Sequence, residues 1–152
     1  MKRLLFAFAC LACLAAAPAR AADAPIVSLA AKMPFADLEK RLTLAIGANK
    51  MNIVTRASAS DGARGRGVAI RGDVVLGVFR NDFAVRMLAS DVEAGIEAPV
   101  RLHLVEEADG TSSIRWRRPA AVFAPFKGED LEKVGRELDA IFDKILADAL
   151  AP

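Results

Sequence analysis

The chain predicts a single α+β domain: an antiparallel or mixed sheet of about five or six strands with helices packed on it, one of them a long C-terminal amphipathic helix. Three observations carry that expectation. A length of 152 residues is the size of one domain. Apolar residues recur at helical spacing in some segments and alternate at strand spacing in others. Helical segments are interspersed with hairpins, the pattern of helices layered on a largely antiparallel sheet.

Residues 26–30, IVSLA, read as a short first strand. In the following PFADLEKRLTLAIG, Phe35, Leu38, Leu42 and Ala45 or Ile46 fall on one stripe, with Pro34 suited to the first turn and Gly47 to the residue past the end. Asp37 and Arg41 are spaced to pair across one turn, worth about 0.3 kcal/mol. Residues 51–58, MNIVTRAS, form a second strand from their β-branched run. GVAIR (67–71) and VVLGVF (74–79) read as two strands joined by a tight turn at Gly72-Asp73, because glycine accepts the positive φ of such turns.

Asn81 or Asp82 caps a helix running to about Ser90 that buries Ala84, Met87 and Leu88. After a loop, VRLHLVEE and SSIRWRR alternate apolar with polar residues about Asp109-Gly110 and make a second hairpin. In the last segment Leu131, Val134, Leu138, Ile141, Phe142, Ile145 and Leu146 share one face over about five turns. Gly135 interrupts that helix at a cost of about 1 kcal/mol relative to alanine and marks a close packing contact.

The N-terminal MKRLLFAFACLACLAAAPARAADA has the parts of an export signal. Lys2 and Arg3 give a positive start, residues 4–17 an apolar core, and Ala19-Arg20-Ala21 a cleavage site. That core is too short for the roughly 20 residues of a membrane-spanning helix. Residues 1–21 are thus expected to be a cleavable signal and 22–152 a domain delivered to the periplasm or outside the cell, with no stable membrane span after cleavage. Cys10 and Cys13 leave with the signal, so the mature chain has no disulfide and relies on its core. Removing Lys2, Arg3 and Arg20 from 21 bases leaves 18 against 19 acids, so the net charge of +2 becomes −1. Nucleic acid, which needs a basic surface, is not an expected partner.

The stretch DGARGRGVAIRGD (61–73) supplies no phosphate loop. A Gly-x-Gly-x-x-Gly pattern starting at Gly65 would need glycine where Ile70 stands, and a Walker-type loop ending at Gly67 would need lysine where Val68 stands. No aromatic residue lies between 56 and 78 to stack a base. The stretch is read as turn and hairpin hardware with solvated arginines.

His103 is the only histidine, which removes zinc sites built from Cys and His and leaves a Ser-His-acid triad without an elbow motif. It reads as a partly exposed strand residue. No metal and no cofactor is called for. Between residues 56 and 118 stand ten arginines, no lysine and nine acids. Arg80, Asn81 and Asp82 lie at a strand-to-helix corner, Arg86 one turn along, and Glu97 and Arg101 flank Pro99. Such guanidinium groups beside a helix start are suited to a carboxylate or phosphate. The competing structural expectation is that Asp82 caps its helix and pairs with Arg86 while Glu97 and Arg101 bridge on the surface. Trp116, between arginines, reads as core.

The run VVLGVFRNDFAVRMLASDVEAGIEAPVRLHLVEEADGTSSIRWRRP resembles the bacterial and archaeal family called domain of unknown function 302. Phe79 and Asn81 match its Phe-x-Asn corner, with Asp82 where proline is common. Ala84, Met87 and Leu88 match its next helix, Pro99 the proline opening a strand, and Glu106, Glu107, Asp109 and Gly110 an acidic hairpin turn before Pro119. The likeness covers about residues 27–150. It implies one α+β domain of this size and self-association, and it brings no catalytic residue.

Three functional expectations follow. The first is an exported non-enzymatic domain binding a small anionic ligand or a protein partner, with Arg80, Asn81, Asp82, Arg86, Glu97 and Arg101 as candidate contacts. The second is a structural homodimer without a ligand. The third is an enzyme working through carboxylates and arginines.

Overall fold

The computed structural model describes residues 24–152. The expected signal segment and both cysteines lie outside the described residues. Five strands, β1 (Ile26–Ala31), β2 (Asn52–Ser58), β3 (Asp73–Phe79), β4 (Val100–Glu106) and β5 (Ser112–Arg117), form one sheet in the order β1-β5-β4-β3-β2, every neighbouring pair antiparallel. Helices α1 (Phe35–Ala48), α2 (Ala59–Arg64), α3 (Asn81–Ser90), α4 (Pro119–Phe123) and α5 (Glu129–Leu150) complete it, with a 3-10 segment at Val92–Glu97.

Strand alternation sends Val74, Leu76 and Val78 of β3, Leu102 and Leu104 of β4, and Ile114 and Trp116 of β5 to one face, all buried. There they join the α1 stripe of Leu38, Leu42 and Ile46 and the α5 stripe of Leu131, Val134, Leu138, Phe142, Ile145 and Leu146 in one cluster. Burying each of these large side chains contributes roughly 2 kcal/mol. The long C-terminal helix is therefore the lid of the core, packed against α1, α3 and α4. Among the described residues no helix is long and apolar enough to cross a membrane.

The glycine-rich stretch folds differently from its sequence reading. Residues 67–71 are not a strand, and Val68 and Ile70 stay half exposed. Instead Ser58 accepts a hydrogen bond from the Asp61 N–H at 3.0 Å and starts α2. That helix ends with Val68 N–H donating to Ala63 O and Gly67 N–H to Arg64 O, with Gly67 at φ 73°. These two bonds with a left-handed glycine define a Schellman stop. Gly72 is no hairpin turn either. A β-carbon there would sit 2.5 Å from the Phe35 ring, so glycine serves close packing. The true turn glycine is Gly110 at φ 81°, where Asp109 accepts from the Thr111 N–H and hydroxyl, as expected for the β4–β5 hairpin.

Smaller differences have local causes. Helix α1 runs through Gly47 and stops where the Asn49 side chain donates to Ala45 O at 2.9 Å. Arg41 does not pair with Asp37; its guanidinium donates to Ala151 O at the end of α5. Leu88, expected in the core, is exposed and lies over Gly95, while Phe83 packs in the core beside Ala84 and Met87.

Gly135 packs as its position in α5 implied. A β-carbon there would stand 2.8 Å from Ala120 Cα and 3.2 Å from Ala120 N, both backbone atoms of α4. Gly135→Ala should gain about 1 kcal/mol of helix propensity and lose more to overpacking, for a net destabilisation of about 1–2 kcal/mol in urea denaturation. A stabilised variant would show that the two helices separate without cost.

Candidate functional site

Because the helical layer covers one face of the sheet, the alternate residues of each strand look out from the other. The register sets His103 of β4 between Val75 of β3 and Arg115 of β5, Arg101 beside Gly77, and Ile26 beside Arg117. Gly77 is what brings the connection before β4 down onto this face. A β-carbon there would lie 2.2 Å from Thr55 Oγ1 and 2.7 Å from Pro99 Cγ, so its absence lets Pro99 seat against β3. Pro99 in turn fixes where Glu97, at the end of the 3-10 segment, meets Arg101.

A concavity of about 600 Å³ opens at the end of this face, where the β4–β5 pairing stops at His103 and Arg115, and reaches between the parted strands to core-side residues and α4. Its charged lining is Glu97, Arg101, His103, Arg115 and Arg117, and its apolar walls include Val75, Val100, Trp116, Val122 and Phe123. The α4 wall is anchored from behind. Pro119 opens α4, and the next N–H, that of Ala120, donates to Asp139 of α5 at 3.2 Å. Burial pushes the Asp139 carboxyl above its ordinary value, against the pull of that hydrogen bond and of Arg118.

The polar groups of the face divide into engaged and unengaged. His103 Nε2–H donates to Asp73 Oδ2 at 2.8 Å. Glu107 Oε1 accepts from Ser113 Oγ at 2.5 Å and Arg115 Nη2 at 2.9 Å. Arg117 uses Nε alone, toward Ala24 O at 2.9 Å. Arg101 and Glu97 approach to 3.7 Å, beyond hydrogen-bond range, and neither side chain makes a hydrogen bond among the described residues.

The residues singled out in the sequence thus fall into two groups. Glu97 and Arg101 belong to the concavity. Arg80, Asn81, Asp82 and Arg86 lie on or beside α3, at its junction with α5. Arg80 forks onto Asp82 at 2.7 and 3.1 Å and stacks 4.3 Å over the Phe83 ring. Arg80 holds the N-cap position of α3 without a side-chain cap bond, so neither Asn81 nor Asp82 caps the helix, and Asp82 does not pair with Arg86. Arg86 reaches α5, donating to Glu137 at 2.7 and 3.0 Å and to Asp130 at 3.3 and 3.4 Å. Glu137 first and Asp130 second hold its guanidinium above the ordinary arginine value, and Arg86 holds both carboxyls below theirs. His103, Arg115 and Arg117, which the sequence alone reads as a strand residue and as solvated charges beside Trp116, join Glu97 and Arg101 in the concavity. Their signal was the alternation of the hairpin, which sets them on one face without saying whether helices cover it.

The molecule is thus an α+β domain with a helical layer on one face of its sheet and an arginine-bearing concavity beside the other. The chain belongs to the family described as Domain of unknown function DUF302, which matches residues 27–149. It is similar in fold to the crystal structure of an uncharacterized conserved DUF302 protein from Bacillus stearothermophilus, at a TM-score of 0.71 and 16% identity over 82% of this chain and 97% of that one. No curated protein matches it.

The Arg86 clamp carries a pH signature. Two carboxyls depressed in the folded state stabilise it above their ordinary values of 3.8 and 4.5, and that contribution disappears as pH falls through the lowered ones. Arg86→Gln should therefore lower the melting temperature near pH 7, with the gap from wild type closing below about pH 4 in a thermal melt series. A gap independent of pH would assign the loss instead to the packing of Arg86 over the Phe83 ring, whose centroid lies 5.8 Å away.

Proposed function

We propose that this protein is an exported, non-enzymatic binding module whose ligand is a small organic anion with an apolar body, held in the concavity on the open sheet face. One observation carries the reading: Arg101, Arg115, Arg117 and His103 converge on a 600 Å³ hollow that also has apolar walls. Guanidinium groups grip carboxylates or phosphates through paired charge-assisted hydrogen bonds. Arg101 and Arg117 keep donors for this purpose, whereas Arg86 is engaged by Asp130 and Glu137. Ile26, Val75 and Val100 would shelter the apolar part of such a ligand, in the usual division of a pocket between apolar walls and a few placed polar groups.

Export rests on the N-terminal pattern of two bases, an apolar core and Ala-Arg-Ala. The absence of tyrosine, and of cysteine beyond residue 13, favours binding over catalysis by leaving few nucleophiles.

Isothermal titration of the protein purified from its own cell envelope with 3-phenylpropionate should give saturable binding that weakens with added salt. Arg101→Ala and Arg117→Ala should each weaken it about tenfold, the loss of one charge-assisted bond. Absence of saturable binding up to millimolar anion, or affinities untouched by both substitutions, would overturn the site. The intact mass of the same preparation should lack residues 1–21; a full-length species throughout would remove export by cleavage.

A further inference from the structure

We infer that the ligand of the concavity is zwitterionic, carrying an ammonium beside its carboxylate as an α-amino acid with an apolar side chain does. This rests on the anion reading above and concerns the one acid in the lining, Glu97. The other acids of the face have hydrogen-bond donors: Asp73 has His103, and Glu107 has Ser113 and Arg115. Glu97 has none among the described residues, although its side chain is only 16% exposed. A half-buried carboxylate without a hydrogen-bonded donor favours one that a ligand can bring.

The placement of Glu97 makes the demand specific. Its Oε2 stands 3.7 Å from Arg101 Nη2, so an acceptor of cations and a donor to anions lie side by side at the rim. A purely anionic ligand seated on Arg101 would approach Glu97 with like charge, which opposes binding. Charges on one carbon, as in an α-amino acid, would meet each group with its opposite. The side chain on that carbon would then turn toward Ile26, Val75 and Val100.

The test compares L-phenylalanine with 3-phenylpropionate, which differ by the ammonium alone, by calorimetry on the full mature protein. Wild type should bind L-phenylalanine at least tenfold tighter. Glu97→Gln should abolish that preference and tighten 3-phenylpropionate, because the opposing charge is gone; Glu97→Asp, which keeps the charge, should retain a preference for the amine. Equal or tighter wild-type binding of 3-phenylpropionate, still dependent on Arg101, would overturn the zwitterion while leaving the anion site standing. Binding of neither probe would overturn both.

Discussion

The helical layer covers only one face of the sheet, and most of what is particular to this molecule follows from that asymmetry. A strand alternates its side chains, so a sheet with one dry face must offer a second set of residues to water. The dry set is Val74, Leu76, Val78, Leu102, Leu104 and Ile114, each with at most 1% exposure. Interleaved with them come Asp73, Val75, Arg101, His103 and Arg115, none of them buried. The core and the candidate site are therefore one pattern read in two phases. A one-residue slip in β4 would carry Arg101 and His103 into the apolar layer, so the energy that holds the core also holds the face in register.

The walls of the concavity depend on two positions where the chain has no side chain. Gly77 admits Pro99, which sets the approach to β4; Gly135 admits the backbone of α4, which supplies Val122 and Phe123. Asp139 then ties the start of α4 to α5. Burial raises that carboxyl, so its negative charge costs more in the folded state than in the unfolded chain. That contribution is most favourable below the ordinary carboxyl value and weakens as pH rises through the raised one, opposite in sign to the Arg86 clamp. The α4 wall thus combines tight backbone contact with a polar anchor that burial disfavours, and it stands beside the site.

Much of the fold was legible because its strongest signals are long. Helix α5 shows its apolar face over five turns, and six of the seven residues read from that stripe are buried, Ile141 being partly so. The β4–β5 hairpin shows alternation on both sides of Asp-Gly. The stretch 61–73 folds otherwise than its sequence suggests because glycine has several uses that look alike in sequence. Gly62 is tolerated inside a short helix, Gly67 ends it with a positive φ, and Gly72 makes room for Phe35. Only the second is a turn signal. Leu88 lies off the core because apolar spacing cannot say where a helix axis leans; Phe83, one residue before the start of the stripe, faces the core instead. Part of the site was hidden for a different reason. Alternation groups His103, Arg115 and Arg117 together, but which face the helices cover is a tertiary fact.

Arginine is the residue on which structure and function have to be told apart here, and hydrogen-bond bookkeeping separates the two uses. Arg56 joins Glu39 of α1 to Asp61 of α2, Arg86 joins α3 to α5, and Arg118 reaches Asp143 of α5. In each the guanidinium is held above its ordinary value, chiefly by hydrogen bonds to those carboxylates. A rigid fork with five donors suits this work of linking elements, and lysine would not replace it. Arg101 and Arg117 link nothing through two carboxylates. They stand where β4 and β5 part, around a hollow walled partly by α4, and their remaining donors have no hydrogen-bond partner among the described residues. An arginine needed only for solubility could stand on any exposed strand position. Lining one hollow, Arg101, Arg115 and Arg117 place like charge together; Glu107 already offsets part of it at Arg115, and the remainder costs energy in the unliganded fold. A ligand that brings negative charge relieves that cost, and the lone carboxylate of Glu97 at the same rim relieves part of it beforehand.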